Sequence, residues 1–321
     1  MFVGALLAAF MPNGPYPITV ITGMQGTGKS RCARVLRMLL DPSVAPLRSF
    51  PSSARHLYVS AANERILAYD NIPQISKALS DNLCRISTGG GTSETKLYTN
   101  QEQVLNEATK PIILNGISIS GLRQDLLDRA FLIETQPIPS SQFHGETEFE
   151  EAFERILPRA FGALALAVST ALANQRLIDI PDRMRMIDAD RFIATASPAF
   201  GWHERKFIDA YVRNRHNVIA ESLEDDPVAI TIRCLVPEQP HWEGTATELL
   251  SVLSSLSRRS SFFERRFPGS PNTLGKHLVR VAPALRTIGI EVIQSRATDY
   301  NRTKMISIAP VRRRRRRSSR A

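Results

Sequence analysis

Gly23-Met24-Gln25-Gly26-Thr27-Gly28-Lys29-Ser30 satisfies the spacing G-x-x-x-x-G-K-[ST], and residues of these types in this order serve phosphate. Glycines let successive backbone N–H groups converge on phosphate oxygens with no Cβ in the way. Lys29 would set a positive charge against the β- and γ-phosphates, and the Ser30 hydroxyl could ligate Mg²⁺. Gly23, Gly26, Thr27, Gly28, Lys29 and Ser30 are therefore the candidate nucleotide-binding residues. Polar residues also follow two other apolar runs: Asp70-Asn71 after RILAY, and Asn115 after PIIL. A phosphate-binding loop needs an acid at the tip of a neighbouring strand to hold Mg²⁺ through its waters, which makes Asp70 the second candidate metal residue beside Ser30. The plainer reading of Asp70 is a strand-end aspartate capping a turn.

These residues need elements to position them. ITVIT before the loop is β-branched and apolar, and Lys29 to Leu40 is amphipathic, with Cys32, Val35, Leu36, Leu39 and Leu40 inward and Arg31, Arg34 and Arg37 outward. A helix starting there would add its positive end to the phosphate site. Strands at Ile18, Arg65–Tyr69, Pro111–Leu114 and Ala130–Ile133 alternate with helices at Ser53–Ala62, Ile75–Arg85 and Leu122–Asp128. Short strands apolar throughout, alternating with helices, predict a parallel α/β sheet with its ligand at the carboxyl ends. Lys29, Asp70 and Asn115 all follow strand ends, so one site can gather them. Thr88-Gly89-Gly90-Gly91-Thr92 reads as a loop into a hairpin around Lys96-Leu97-Tyr98 and Gln103-Val104-Leu105.

Beyond a Pro137–Ser141 linker, Glu146 to Ala173 is long and helical with a break at Pro158, its glutamates Glu148, Glu150, Glu151 and Glu154 forming a solvated face. Further helices at Ala189–Ala196 and Glu204–Ser222 lead to Asp225-Asp226-Pro227. Then Thr245–Leu256 and Thr273–Thr287 read as helices, and Gly289–Ile293 and Lys304–Ile308 as a hairpin, which is the order of a winged helix. Lys276, His277, Arg280, Arg286, Arg296, Arg302 and Lys304 give it a basic edge suited to DNA, although such a module can equally dock protein. The expected division is a P-loop ATPase core over 1–136, a helical region over 137–227, a winged-helix-like domain over 228–310 and a disordered polybasic tail over 311–321.

Composition narrows the class. Net charge is +10, but Arg312 to Arg317 and Arg320 carry seven of those charges, which leaves +3 for the rest. A run like this is either a solvated end or a salt-dependent contact to nucleic acid phosphates. Cys32, Cys84 and Cys234 are scattered without metal spacing, arguing against disulfides and zinc and for a reducing cytoplasm. The opening FVGALLAAFM lacks a basic flank and is too short to span a bilayer, so it reads as a helix packed on the core, with no membrane partner.

ILAYDN, the S-x-G-G-G preceding Lys96-Leu97-Tyr98, PIILNGI and LRQDLLDRAF together resemble the ATPase core of phage- and plasmid-borne primase–helicases, AAA+ proteins close to the superfamily 3 helicases. The resemblance is strongest from Pro17 to Glu134 and continues through GTATELL and LRTIGIEV. It implies ATP and Mg²⁺ as cofactors, Lys29 and Ser30 as Walker A, Asp70 as Walker B and Asn115 as the sensor orienting water. Arg129 would be an arginine finger facing a neighbouring subunit's ATP and Arg123 an auxiliary contact; the alternative is that both pair with Asp125 and Asp128 on their own helix. Lys96 would sit on a pore hairpin, with Tyr98 stacking a base. Asn71 departs from the family, standing where a second acid is usual; it can position water but cannot take its proton. Many relatives carry primase regions upstream, and a chain starting almost at the P-loop strand is expected either to lack them or to be a truncated remnant of a larger protein. The implied activity is a Mg·ATP-dependent motor on single-stranded or forked DNA in mobile-element replication, a homo-oligomer (a hexameric ring being one closed form) working with other replication proteins. An ATP-controlled loader that binds DNA without unwinding is the second reading, and a small-molecule P-loop kinase the third.

Overall fold

The first strand, β1 (Ile18–Thr22), is buried at every position, as a strand covered on both faces must be. Around it, in chain order, stand α1 (Phe2–Ala9), α2 (Lys29–Leu40), β2 (Arg48–Ser49), α3 (Ala54–Asn63), β3 (Leu67–Asp70), α4 (Lys77–Thr88), β4 (Thr92–Thr95), β5 (Gln103–Asn106), β6 (Ile112–Asn115), α5 (Gln124–Leu127) and β7 (Ala130–Glu134). The computed structural model describes residues 1–90, 92–95, 103–106, 108–118, 122–174, 185–224, 226–257, 267–296 and 304–311. Strands β2-β3-β6-β1-β7, in that order, form a wholly parallel sheet, while β4 and β5 make a separate antiparallel pair. Ile21 pairs with Asn115, and Thr22 with Glu134, so the strands end together at one edge.

Strand alternation sorts the core. Ile21, Ala68, Ile113, Phe131 and Ile133 face α1, α2 and the helices α6 (Glu146–Asn174), α7 (Ile187–Ala196) and the first half of α8 (Lys206–Glu224) in one cluster. Phe131 meets Phe207 and Tyr211 edge-on at centroid distances of 5.3 and 5.8 Å. The other face buries Ile18, Val20, Leu67 and Leu114, and α3, α4 and α5 contribute Leu57, Leu83 and Leu126 to the buried set. Contact density therefore divides the chain into Met1–Asn214 and Arg215–Ala321, and the expected boundary after residue 136 falls inside the first unit.

Several local expectations change. Arg37 is buried, not outward, and is neutralised by Asp41 four residues on. Pro158 does not break α6, because Leu157, Ala160 and Leu164 pack onto the core on either side of it. By length and composition α6 is long and apolar enough to cross a membrane, yet its Leu164, Ala167 and Ala171 are buried in the sheet cluster. Gly89 caps α4 in the left-handed region (φ 89°), and the N–H groups of Gly89 and Gly90 both donate to the Arg85 carbonyl.

The second unit contains α9 (Pro227–Glu238), β8 (Trp242–Thr245), α10 (Ala246–Ser257), α11 (Pro271–Thr287), β9 (Ile290–Arg296) and β10 (Lys304–Pro310). Its sheet is antiparallel, in the order β8-β10-β9. The expected hairpin is there, joined by β8 on its other side. Asp226 and Pro227, read as an exit, in fact start α9: the Asp226 carboxylate accepts from the Val228 and Ala229 N–H groups at 3.0 and 3.1 Å, with Pro227 in the first turn. The core of this unit is a single cluster in which Ile232 and Leu235 of α9 meet Leu249 and Leu253 of α10, Leu274 and Leu278 of α11, and Ile306 and Ile308 of β10.

Candidate functional site

The loop from Gly23 to Gly28 joins the end of β1 to the start of α2. Gly23, Gly26 and Gly28 hold φ values of 142°, 80° and 77°, where a side chain is strained. Space adds a second constraint at Gly23, where a Cβ would lie 2.3 Å from Thr135 Oγ1 and 2.7 Å from Thr135 O. Thr135, one residue past β7, is a positioning residue that the sequence reading missed. Its N–H donates to Thr22 O at 2.9 Å, its hydroxyl lies 2.6 Å from that of Thr27, and the two hydroxyls reach Thr22 O (3.0 Å) and Met24 O (2.8 Å). Its signal was positional: it stands to β7 as Gly23 stands to β1. Lys29 is folded back on the loop, its Nζ donating to Gly23 O (2.9 Å) and Met24 O (2.6 Å).

The parallel order puts β6 between β1 and β3, and this brings three separate strand ends to one point. The Ser30 hydroxyl donates to Asp70 Oδ1 at 3.2 Å, Asn115 Nδ2 donates to Ser30 Oγ at 3.1 Å, and Asn115 also hydrogen-bonds Asp70. The Asn71 N–H donates to the same Asp70 oxygen at 2.8 Å. Asn115 is 1% exposed and its Oδ1 has no partner, an open acceptor among the cluster's filled ones. Asn71 itself is exposed and left-handed (φ 51°), a conformation asparagine tolerates better than most residues. It is backed by Gly116, where a Cβ would come within 2.9 Å of Asn71 Cα. Such a set of hydroxyl, carboxylate and amide oxygens beside the backbone N–H groups of a glycine-rich loop can hold a phosphate chain and a hard cation.

Arg129 does not belong to this cluster in its own chain. It precedes Ala130, which pairs with Ile18, the first residue of β1, whereas Gly23 follows the last. Parallel strands thus place Arg129 at the opposite sheet edge, roughly 16 Å away along a five-residue strand. Its Nη1 donates to the Asp125 backbone carbonyl at 2.7 Å, and its buried Nε has no partner. Arg123 is exposed and pairs with Asp125 at 3.2 Å and with Asp81 of α4 at 3.7 Å. Asp128 takes Gln124 Nε2 at 2.9 Å and Arg185 at 3.6 Å. Lys96 and Tyr98 lie outside the described residues.

Two contacts differ from the simple solvated and basic faces expected. Glu146 binds Arg31 (2.9 Å) and Arg34, with Glu150 3.5 Å from Arg34, so hydrogen bonds from the two arginines hold the Glu146 carboxyl below its ordinary range. On α11, Lys276, Arg280 and Arg286 are exposed, as are Arg296 and Lys304 on the paired strands β9 and β10; Arg302 lies outside the described residues. His277 does not join them: it is 2.7 Å from Asp226. Burial pushes the Asp226 carboxyl up, but the His277 hydrogen bond, the Ala229 N–H and the charges of His277 and Arg280 outweigh it and hold the group below its ordinary value.

Comparison with known proteins follows the same division of the chain. Residues 1–218 match the family model described as actinomycete integrative conjugative element replication protein, and residues 228–319 match the AICE RepA C-terminal domain. A solved structure, a DNA polymerase III gamma subunit-related protein from Thermotoga maritima, is similar at 12% identity over 89% of this chain and 100% of that one, with a TM-score of 0.30. No curated protein matches the sequence. With a family model covering its first 218 residues and the matching C-terminal model most of the remainder, the chain belongs to the family of actinomycete integrative conjugative element replication proteins.

Proposed function

We propose that this mobile-element replication protein is a Mg·ATP-dependent DNA motor of the AAA+ primase–helicase type, active as a homo-oligomer in which Arg129 of one copy completes the nucleotide site of the next. The observation that carries this reading is the division of the site between two sheet edges: Ser30, Asp70 and Asn115 gather at the carboxyl edge, and Arg129 stands at the other. An arginine there can reach a triphosphate only across a subunit boundary.

The chain's residues fit the cofactor. Lys29 now rests on two neutral carbonyls, and phosphate oxygens would offer it stronger, charge-assisted bonds at the same loop. Ser30 and Asp70 are already adjacent and would flank the cation, while the unpartnered Asn115 oxygen suits a water molecule. Mg²⁺ would neutralise charge on the transferring phosphoryl. Gly23 and Thr135 keep the loop closed against the sheet; Arg129, supplied in trans, would stabilise charge developing away from it. Lys96 and Tyr98 are proposed to contact one DNA strand, with the basic edge of α11 and the hairpin as a winged-helix-like second contact. The site belongs in the cytoplasm, where ATP and the other replication proteins are.

A loader that binds DNA without unwinding it is the second reading, and Asn71 favours it. Among the described residues Asp70 is the only carboxylate in the hydrogen-bonded cluster, and it is occupied by Ser30, Asn115 and the Asn71 N–H. Nucleotide binding, more than rapid turnover, would then be the working event. ATP turnover with and without single-stranded DNA, together with separation of a forked duplex, decides between them. We expect DNA-stimulated turnover in the wild type, and a fall of about a thousandfold in Arg129→Ala and in Lys29→Ala. Turnover indifferent to DNA, with no strand separation, removes the motor; full activity of Arg129→Ala at every protein concentration removes the shared site.

A further inference from the structure

Helix α5 offers Arg129 an ion pair that it does not make. Asp125 lies in α5, and Arg129, in the turn just after that helix, is close enough for its guanidinium to meet the Asp125 carboxylate. Yet Arg129 bonds the Asp125 backbone carbonyl and not its carboxylate, and its Nε is buried without a partner. Among the described residues no carboxylate lies within ion-pair distance of it. A half-buried guanidinium left unpaired beside acids is costly, and something must hold those acids off. Two other arginines do. Arg123 Nε takes the Asp125 carboxylate at 3.2 Å while its Nη2 reaches Asp81, and Arg185, from the segment before α7, takes Asp128 at 3.6 Å. Four of these groups, Asp125, Arg129, Asp81 and Arg185, lie near enough to the buried Cys84 thiol to act on it electrostatically.

We propose that Arg123 and Arg185 are positioning residues that occupy the carboxylates of Asp125 in α5 and Asp128 at its end, so that Arg129 keeps an uncompensated charge for a neighbouring copy's phosphates. Arg123 then works through Asp125, not by touching phosphate. This rests on the trans-arginine reading above. Without Arg123, the Asp125 carboxylate is released to close on Arg129, whose guanidinium already bonds the Asp125 carbonyl, and removes the charge the neighbour's site requires.

The test is ATP turnover of the full-length chain with single-stranded DNA, alongside nucleotide affinity and thermal midpoint, for Arg123→Ala, Asp125→Asn and the double variant. We expect Arg123→Ala to lower turnover at least about tenfold with ATP affinity unchanged, a part of the full effect of a finger. Asp125→Asn alone should stay within about twofold of wild type, because the backbone carbonyl that holds Arg129 survives. Combining the two should restore turnover to within about threefold of Asp125→Asn. Arg185→Ala with Asp128→Asn should repeat the pattern. If the double variant stays as slow as Arg123→Ala, Arg123 contacts phosphate directly or serves stability, and the proposal is overturned; wild-type turnover in Arg123→Ala overturns it too. Failure of the underlying reading is separate and visible, since Arg129→Ala would then retain activity while nothing else in the series mattered.

Discussion

Asp190 shows how a single side chain can carry a stability cost that no contact map reveals. It sits in α7 with 3% exposure, and burial raises its carboxyl from an ordinary 3.8 to about 6, with Arg205 pulling the other way. The folded chain therefore holds this proton more tightly than the unfolded chain does. The stability tied to it is fully present below about pH 4 and is lost as pH rises through about 6. At neutral pH the charged, buried form costs roughly 1 to 3 kcal/mol. Asp190→Asn should recover that amount in denaturant titrations at pH 7 and recover progressively less as pH falls toward 4; an equal gain at both ends would mean that the carboxyl is not desolvated. At this scale the sequence was legible where a residue type is rare in its role. Lys29 and Ser30 could be named from the loop's spacing, and Asp70 and Asn115 because polar residues at the ends of apolar strands stand out. Arg185 and the His277–Asp226 pair could not, because an arginine or a histidine acquires its partner only through packing; Thr135 was marked by no more than its place one residue past β7.

Elements were more legible than their partners. The alternation of short apolar strands with amphipathic helices carried the parallel sheet, but nothing in it said that β6 would stand between β1 and β3, and that order is what seats Asn115 beside Asp70 and Ser30. β2 is two residues long, too short for any period to register, and β8 is WEGT, without the apolar run that marks β3 and β6. α6 is the case where local rules mislead: Pro158 predicts a break and Gly162 a weak point, and the helix runs through both because its inner face is packed. The Gly162 site is then a reserve of stability. A Cβ there would meet nothing within 4 Å, and a helix-interior glycine costs about 0.5 to 1 kcal/mol against alanine. Gly162→Ala should raise the unfolding free energy by that amount without changing ATP turnover. A loss of stability instead would show that a second surface packs closely on the helix at this point.

Over the whole molecule, charge is the property that sequence states most fully and the fold constrains least. Seven of the ten net positive charges lie in Arg312–Arg317 and Arg320, and the remainder of the chain is only +3. The structured basic edge is modest by comparison: Arg286 is 3.4 Å from Glu291, Arg280 is 3.5 Å from Asp226, and His277 is taken up by the same aspartate. Lys276, Arg296 and Lys304 are left as exposed cations on the described surface of α11, β9 and β10. If DNA is held mainly through phosphates, the tail should dominate the salt dependence, because each neutralised phosphate releases condensed counterion. Full engagement of seven arginines would contribute about 6 to the slope of log affinity against log salt on duplex DNA, and about 5 on a single strand. Replacing those seven arginines with serine should therefore make the slope shallower by about 3 to 6 and weaken binding most at low salt. ATP turnover without DNA is the control and should stay as it was. An unchanged slope would transfer the phosphate contacts to the α11 and hairpin edge, where Lys276→Ala and Lys304→Ala should then each lower it by about 1.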